Sequence, residues 1–403
     1  MTAIEVQSAA RARATVSPAR WWPVGVALLG VGWGSNQFTP MLLVYSHTLG
    51  LSTGTLEAMF GFYALGLIPG LLVAGAVSDE RGRRPVMFAA ALFGLAATSA
   101  LAVAGHSVTL LFVGRLLAGI SAGTAFGAGT AWLREVSSPP FGTATDHEAA
   151  RRAAVTMTAG FALGPLVAGV LAQWAPEPGV VPYLPHLALM LFVIAVLPVA
   201  PETGSGGAGR SVARALPSIR SRRFRRVVAP MAPWVFAAPA IAFALLPSVV
   251  GAGSATDGIA LTAAITMLTA LAGVLIQPVA RRLDAHADGN RAATVGLLVV
   301  CAGLAFGALT ADVGETWLLI PNGIVLGAGY GLCLVAGLVE VQRLAHRDAL
   351  AGLTAVYYAL TYVGFAAPFV IALAAHVAAY TTLLLITAAL SLITALWVRA
   401  AGA

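Results

Sequence analysis

Stretches of about 20 apolar residues, the length that crosses a hydrocarbon core of about 30 Å as an α-helix, recur along the whole chain. The chain is 59% hydrophobic and only 10% charged, whereas an average soluble domain is about a quarter charged. Together these features predict an all-α membrane protein with 12 transmembrane helices. The predicted spans, numbered 1 to 12 in chain order, are 22–45, 56–78, 85–104, 108–133, 153–175, 185–200, 227–250, 258–280, 292–310, 316–340, 350–374 and 380–398.

The basic residues exclude several classes of function. All 23 of them are arginine, so this chain can form neither a P-loop nor a pyridoxal Schiff base, which both need a lysine. The sequence offers no polar domain that could present a basic face to nucleic acid. Cys301 and Cys333 lie in apolar runs, which favours hydrophobic packing over a disulfide or a metal site. We therefore expect no cofactor, no metal and no nucleic-acid partner.

Arginine is distributed unevenly between the two sides that the predicted spans define. Positively charged loops stay on the cytoplasmic side of a membrane. With the N-terminus inside, the predicted cytoplasmic segments hold every arginine except Arg115, and the predicted outer loops hold none. The apolar run after Arg20 lacks a small-residue cleavage pattern and is predicted to be a first spanning helix. The sequence thus predicts a multi-pass protein of the plasma (inner) membrane, surrounded by lipid, with both termini in the cytoplasm.

The longest hydrophilic stretch divides the chain into two halves. It begins with a Gly- and Ser-rich run after Thr203 and continues into arginine-rich sequence, which is typical of a flexible linker and a basic surface segment. The predicted parts are a cytoplasmic tail 1–21, a six-helix bundle 22–203, a cytoplasmic linker 204–226, and a second six-helix bundle with a short tail 227–403. Spans 4 and 10 repeat one pattern of glycines at four-residue spacing, a seam for close helix packing. These glycines are Gly119, Gly123 and Gly127, and Gly323, Gly327 and Gly331.

Several local motifs resemble the major facilitator superfamily, and the resemblance covers essentially the whole chain. The 2–3 connection is similar to that family's signature of glycine, aspartate and Gly-Arg-Arg, and span 4 has the family's arginine inside the helix. Span 5 resembles the antiporter motif of drug:proton exporters, and Ala200-Pro201-Glu202-Thr203 at the end of span 6 is similar to the same branch. The motif residues are Gly75, Asp79, Gly82, Arg83 and Arg84 in the connection, Arg115, Gly119 and Gly123 in span 4, and Gly160, Gly164, Pro165 and Gly169 in span 5.

The resemblance implies a fold of two six-helix bundles and roles in gating or coupling for these motif residues. It implies a cytoplasmic latch in which Asp79 faces the positive end of span 11, with a solvated turn as the alternative. Gly75 is expected to let a neighbouring helix approach closely. Bending of span 5 at Pro165 implies control of leak and exchange direction, although ordinary helix packing explains the same residues equally well. Arg115 is predicted to lie about 12 Å below the outer surface. A role in substrate binding or in tuning a proton site is favoured, and the alternative is a snorkelling side chain that only anchors the helix.

Polar and aromatic side chains are concentrated on a few spans. By helical spacing, Trp33, Asn36 and Gln37 share one face of span 1, and Tyr358 and Tyr362 share one face of span 11. The resemblance implies that spans 1, 4, 7 and 10 surround the cavity, and spans 3, 6, 9 and 12 are almost purely aliphatic and small. For any single residue, a helix-to-helix hydrogen bond is as good an explanation as ligand contact. The predicted substrate cavity is lined by Trp33, Asn36, Gln37, Arg115, Trp234, Asn322, Tyr330, Tyr358 and Tyr362.

No carboxylate lies in the middle of a predicted span, so neutral, amphipathic or anionic compounds are favoured over organic cations. Asp79, Glu57 and Glu340 remain as candidates for a proton-carrying residue, whereas His186, at the start of the lipid-facing span 6, is predicted to be an interfacial side chain. No catalytic constellation is present at membrane depth, so we do not expect an enzyme. The resemblance of span 5 and of the end of span 6 to drug:proton exporters implies a monomeric secondary transporter that exports small hydrophobic or drug-like molecules by proton antiport and alternating access. Uptake or facilitated diffusion of a small nutrient or anion is the alternative.

Overall fold

The chain folds into a bundle of membrane-spanning helices. The computed structural model describes residues 21–203, 215–252, 257–284, 290–346 and 349–402. Within these ranges every regular element is helical, and eleven segments are long and apolar enough to cross a membrane. The predicted all-α membrane fold is therefore confirmed. Most of the predicted tail, and residues 204–214 of the predicted linker, lie outside the described residues.

The segments follow the predicted order, and the span numbers are kept below. Several spans are longer than predicted because the helix continues into polar flanking residues, as span 2 does as far as Arg81. The observed bounds are Trp22–Asn36 and Met41–Leu49 for span 1, Thr53–Arg81, Arg83–Ala102, Val108–Ser137, Asp146–Trp174 and Val181–Val199 for spans 2 to 6, Phe224–Val249 for span 7, Gly258–Leu275 and Gln277–Asp284 for span 8, and Arg291–Val313, Thr316–Leu344, Leu350–Ala374 and Tyr380–Gly402 for spans 9 to 12.

Span 1 is broken into two helices, which the continuous apolar run did not predict. The chain turns between Asn36 and Met41. Pro40 has no backbone N–H to bond the carbonyl of Asn36, the residue four positions earlier. That carbonyl instead accepts the N–H of Thr39 at 3.0 Å. Gly50, with a φ of +61°, ends the second helix in a left-handed turn, so the predicted end of this span at residue 45 is corrected to Leu49.

Glycine seams hold pairs of helices together in both halves. A Cβ added at Gly119 or Gly123 of span 4 would collide with the carbonyl oxygen of Tyr63 or Leu67 in span 2. In the second half, Gly327 and Gly331 of span 10 lie equally close to carbonyl oxygens of span 8. Such close approach increases van der Waals contact between helices that gain little from hydrophobic burial in lipid. The repeat in the sequence therefore corresponds to one packing arrangement used twice.

The two halves meet near the end of the bundle whose connections carry no arginine, here called the arginine-free end. Span 5 packs on span 8 there, with Gly169 against Ala263. Span 2 packs on span 11, where the ring centroids of Phe60 and Phe365 are 5.0 Å apart. At the opposite, arginine-rich end, a Cβ added at Gly75 of span 2 would meet no atom within 4 Å. The halves thus contact each other at the arginine-free end, and Gly75 of span 2 has open space beside it at the other end.

Candidate functional site

Aromatic rings from both halves meet where spans 2, 7 and 11 converge. Phe236 of span 7 stacks on Tyr362 and Phe365 of span 11, with ring centroids 4.5 and 5.3 Å apart. Phe60 of the other half packs edge-on against Phe365. Pairs of this kind contribute about 0.5–1.5 kcal/mol each beyond the area they bury, so the cluster stabilises the closed end. We call this set the aromatic gate, and it comprises Phe60, Tyr63, Phe236, Phe243, Tyr330, Tyr362 and Phe365.

Arg115 of span 4 is buried beside the aromatic gate, with 1% of its surface exposed. Its guanidinium carbon lies 4.7 Å from the ring centroids of both Phe38 and Tyr63. Its nitrogens donate hydrogen bonds of 3.3–3.5 Å to the backbone carbonyl oxygens of Ser35, Met59 and Phe60. Carbonyl dipoles and ring faces thus offset the loss of hydration. In this conformation Arg115 ties spans 1, 2 and 4 together, and it is not a snorkelling side chain.

Some of the predicted cavity residues lie together or remain accessible. Tyr330 of span 10 stacks on Phe236 at 5.6 Å, and Tyr362 stacks on the same ring from span 11. Trp33 and Asn36 of span 1 and Tyr358 of span 11 are each partly exposed. The indole nitrogen of Trp33 is buried without a hydrogen-bond partner. Their exposed surfaces present aromatic rings and an amide, and their place in a substrate cavity stays a prediction.

Gln37 points into the first bundle instead of lying with the tyrosines of the gate. Its amide nitrogen donates to the hydroxyl of Thr98 at 3.0 Å, and it is fully buried. Next to it, the Nδ1 atom of His186 lies 2.8 Å from the same hydroxyl, and Nε2 lies 2.9 Å from the carbonyl oxygen of Gly30. His186 is 1% exposed, so the prediction that it is an interfacial side chain is wrong. Its polar partners come from spans 1 and 3, which sequence spacing on span 6 does not reveal.

Two further predicted cavity residues make hydrogen bonds between helices. The indole N–H of Trp234 in span 7 donates to the hydroxyl of Thr394 in span 12 at 3.2 Å. The amide nitrogen of Asn322 in span 10 donates to the carbonyl oxygen of Gly303 in span 9 at 2.9 Å. Both correspond to the alternative that the sequence left open for single polar residues. They position helices around the site, and we do not carry them into the substrate site proposed below.

The motif of span 5 faces two different neighbours. Gly160 and Gly164 lie against the backbone of span 1 at Leu29 and Trp33, where a Cβ would collide. Gly169 lies against Ala263 of span 8, in the other half. Pro165 is a buried residue inside the helix. Span 5 is therefore fixed to its own half along one stretch and forms the contact between the halves along the next.

The connection between spans 2 and 3 carries a network of charges. Arg83 and Asp79 form an ion pair of 2.7 Å, and Arg83 also binds Glu135 at the end of span 4 at 3.0 Å. The hydroxyl of Ser78 accepts a further hydrogen bond from Arg83 at 2.9 Å. These partners all belong to the first half. The conformation described here thus shows Asp79 paired within its own bundle, and the implied latch to span 11 stays a prediction about the other conformation.

The end of span 6 is attached to the same connection. The carboxylate of Glu202 accepts the backbone N–H groups of Arg83 and Arg84 at 2.7 and 2.9 Å. These N–H groups start span 3, where the helix dipole favours negative charge. Gly82 has a φ of +97°, a backbone conformation that disfavours any side chain. A Cβ at this position would also lie 2.9 Å from the Glu202 carboxylate, which is too close. Glu202 is thus the N-terminal cap of span 3, supplied from another helix.

The second half has a related network without the sequence signature. Glu340, near the end of span 10, binds Arg223 at 2.7 Å and Arg343 at 3.0 Å. Arg223 also donates to the side chain of Asn290, just before span 9, at 3.2 Å. The acidic residue thus sits near the end of span 10 as Glu135 sits near the end of span 4.

Comparison with known proteins identifies the family. The family model described as Major Facilitator Superfamily matches residues 24–369. The chain belongs to this superfamily. A nucleoside transporter, NupG, is 14% identical, covers 94% of this chain and 98% of its own, and superimposes with a TM-score of 0.73. A POT family transporter in complex with 5-aminolevulinic acid is 12% identical, covers 95% and 96%, and has a TM-score of 0.76. These likenesses show the major facilitator fold of two six-helix bundles, so the predicted fold is confirmed.

Curated relatives of this major facilitator protein are multidrug resistance proteins. Multidrug resistance protein MdtL of Klebsiella pneumoniae (strain 342) is 31% identical over 102 residues, which is 25% of this chain and 26% of that protein. Multidrug resistance protein 1 of Bacillus subtilis (strain 168) is 28% identical over 148 residues, which is 37% of this chain and 36% of that protein. The matches thus span about a quarter to a third of these relatives. The chain is a membrane transporter and not an enzyme, as predicted.

Sequence reasoning missed the apolar members of this facilitator's gate. Phe60, Phe236 and Phe365 are ordinary residues of apolar spans, and their role follows from contacts between distant parts of the chain. Glu202 was noticed only as part of a family-like segment. Its position three residues after the helical end of span 6 is the one local signal that could have indicated a cap for a neighbouring helix.

Proposed function

We propose that this transporter exports small hydrophobic or drug-like molecules by alternating access and proton antiport, as a monomer in the plasma (inner) membrane. We place both termini and the arginine-rich end in the cytoplasm, because positively charged connections stay there. The observation that carries the proposal is the contact of the two halves at the arginine-free end, with Gly75 uncovered at the other. In this orientation the conformation opens toward the cytoplasm, where an exporter takes up its substrate. The multidrug resistance relatives support the same direction.

The chemistry of the accessible residues supports a neutral or amphipathic substrate. Trp33, Asn36 and Tyr358 are partly exposed and offer ring faces and an amide. Aromatic walls with few polar groups suit molecules that are mostly apolar. Among the described residues the fully buried carboxyl groups are those of Glu57 and Glu340, and both lie near the ends of their spans. The middle of the molecule therefore lacks the negative charge that would select organic cations.

Efflux of aromatic compounds tests this substrate class. We expect cells that produce the protein to accumulate less of a neutral aromatic dye than cells that lack it. Trp33→Ala should lower the rate of dye efflux several-fold, because it removes a ring from the cavity. Trp174→Ala is the matched control, since Trp174 lies 64% exposed in the last turn of span 5 and should leave efflux unchanged. Equal efflux by the two variants would contradict the proposed site.

Flux in purified vesicles tests direction and proton coupling. In vesicles with the protein in one orientation, an imposed pH gradient should accelerate dye movement against the proton flow. A flux that does not change with the pH gradient would contradict proton antiport. Accumulation of a nutrient or anion in intact cells would instead support uptake. Labelling single cysteines placed at Gly105 and at Glu80 tests the orientation. A membrane-impermeant reagent should reach the first from outside the cell and the second only after lysis.

A further inference from the structure

Glu57 is an unpaired carboxyl group buried at the closed end of the transporter. It lies in the second turn of span 2, is 0% exposed, and neither carboxyl oxygen has a hydrogen-bond partner. The other two acidic residues that the sequence raised as proton carriers are paired, Asp79 with Arg83 and Glu340 with Arg223. Of the three, Glu57 is therefore the one for which the described residues provide no hydrogen-bond donor and no ion-pair partner to stabilise a negative charge.

The surroundings of Glu57 explain which form of the carboxyl group fits there. The titratable side chain that interacts with it from a neighbouring span, in the described part of the chain, is the neutral phenol of Tyr380 at the start of span 12. Arg115 of span 4, which packs on span 2, directs its guanidinium to the carbonyl oxygens of Met59 and Phe60. A buried carboxylate without a partner is strongly disfavoured, whereas a neutral carboxylic acid loses far less hydration. The closed end therefore accommodates Glu57 as the neutral acid.

We propose that Glu57 is a proton-binding site whose occupancy permits the arginine-free end to close. Phe60, one turn further along span 2, forms the contact with Phe365 that joins the halves, so separating the halves exposes the beginning of span 2 to water. In water a glutamate carboxyl group ionises at neutral pH. Closing then takes one proton from the solution on the arginine-free side, and opening returns the same proton to that solution. Glu57 alone thus gates the cycle and carries no net proton across the membrane.

This proposal rests on the alternating access of the proposed function, but it is independent of the exported compound and of antiport. Linkage sets the direction of the effect, because the closed form binds one proton more than the open form. Acid favours closure of the arginine-free end, and the advantage is lost as the pH rises. Once the exposed carboxyl group is ionised, the ratio of closed to open molecules should fall by up to about tenfold for each further pH unit.

A distance measurement across the closed end tests the proposal without any substrate. Val103 and Val377 are 73% and 88% exposed at the arginine-free end of the first and second half. Spin labels on Val103→Cys and Val377→Cys, in a chain with Cys301 and Cys333 replaced by Ala, report the separation by double electron–electron resonance. From about pH 4 to about pH 9, the unsubstituted Glu57 protein should shift from the short to the long distance. Glu57→Gln, which imitates the neutral acid, should keep the short distance throughout.

Control variants separate this site from other causes of a pH response. Glu315→Gln changes an exposed carboxyl group at the same end and should respond as the parent protein does. Glu57→Asp keeps a titratable group and should retain the transition. A transition that survives in Glu57→Gln, or a parent protein whose distances ignore pH, overturns the proposal. A normal transition combined with flux that is independent of the pH gradient would leave Glu57 in place and refute only the antiport.

Discussion

The side-chain oxygen of Gln173 in the last turn of span 5 accepts the backbone N–H of Ile259 in the first turn of span 8, at 3.1 Å. The N–H of Ala260 shares the same acceptor at 3.3 Å. The first N–H groups of a helix have no partner within the helix, so they need an acceptor from elsewhere. Here a residue of one half caps a helix of the other half, and the bond breaks whenever the arginine-free end opens.

Replacing Gln173 by alanine should favour the open arginine-free end. Loss of a hydrogen-bond acceptor for two helix-end N–H groups is worth about 1 kcal/mol, which changes the ratio of closed to open molecules about fivefold. The spin-label pair at Val103 and Val377 measures that ratio. Gln342→Ala, at an exposed position of span 10, serves as the control. If both variants gave the parent distribution, the Gln173 contact would not contribute to closure.

Arg115→Ala should lower the stability of the transporter in the absence of any compound. The substitution leaves three backbone carbonyl oxygens without their donor and empties a buried volume, which together cost at least about 2 kcal/mol. Thermal unfolding of the purified protein measures this loss, with the exposed Arg134→Ala as the control. Parent-like stability together with weaker dye binding would instead place Arg115 in direct contact with substrate.

Gly75→Val should block transport without destabilising the conformation described here. Nothing lies within 4 Å of a Cβ at this position, and valine is a better helix former than glycine. If span 11 approaches Gly75 when the arginine-rich end closes, the added side chain prevents that approach. Dye efflux should therefore fall at least tenfold while the unfolding temperature is maintained. Gly179→Val, also in open space, is the matched control, and full activity of both variants would disprove the close approach.

Glu202→Gln should loosen the start of span 3. The N–H groups of Arg83 and Arg84 bond different oxygens of the Glu202 carboxylate, and glutamine replaces one of these oxygens by an NH2 donor and removes the negative charge. We expect a loss of about 1–2 kcal/mol, because hydrogen bonds to a charged acceptor are stronger than neutral ones. Chemical unfolding measures it, with Glu80→Gln at an exposed site of span 2 as the reference. An equal midpoint for the two variants would show that the cap is not stabilising.

The sequence predicted those features that depend on one helix at a time. Gly119 and Gly123 indicated a packing seam because the absence of a side chain has the same consequence against any neighbour. The spans themselves followed from length and hydrophobicity. Span 1 was the exception, since its first helix ends at Asn36, before Pro40, although length and hydrophobicity predicted one continuous helix.

The positions of buried polar groups depended on several helices and were beyond such reasoning. His186 looks like an interfacial residue on span 6, yet Thr98 of span 3 and Gly30 of span 1 surround its ring. Gln37 shares a helical face with Trp33 in the sequence, but its side chain turns toward Thr98 and His186. In both cases the partners lie far away in the chain, and nothing in the local pattern distinguishes a ligand-facing amide from one that joins helices.

The glycine seams have a mechanical consequence for turnover. Span 4 lies against the backbone of span 2, and span 10 lies against the backbone of span 8. Because sliding of these helices would force atoms into each other, each half should move as a rigid body. The contacts that change during a cycle are then those between the two halves. The transport rate can therefore be changed by substitutions at the contact between the halves, without altering the packing inside either half.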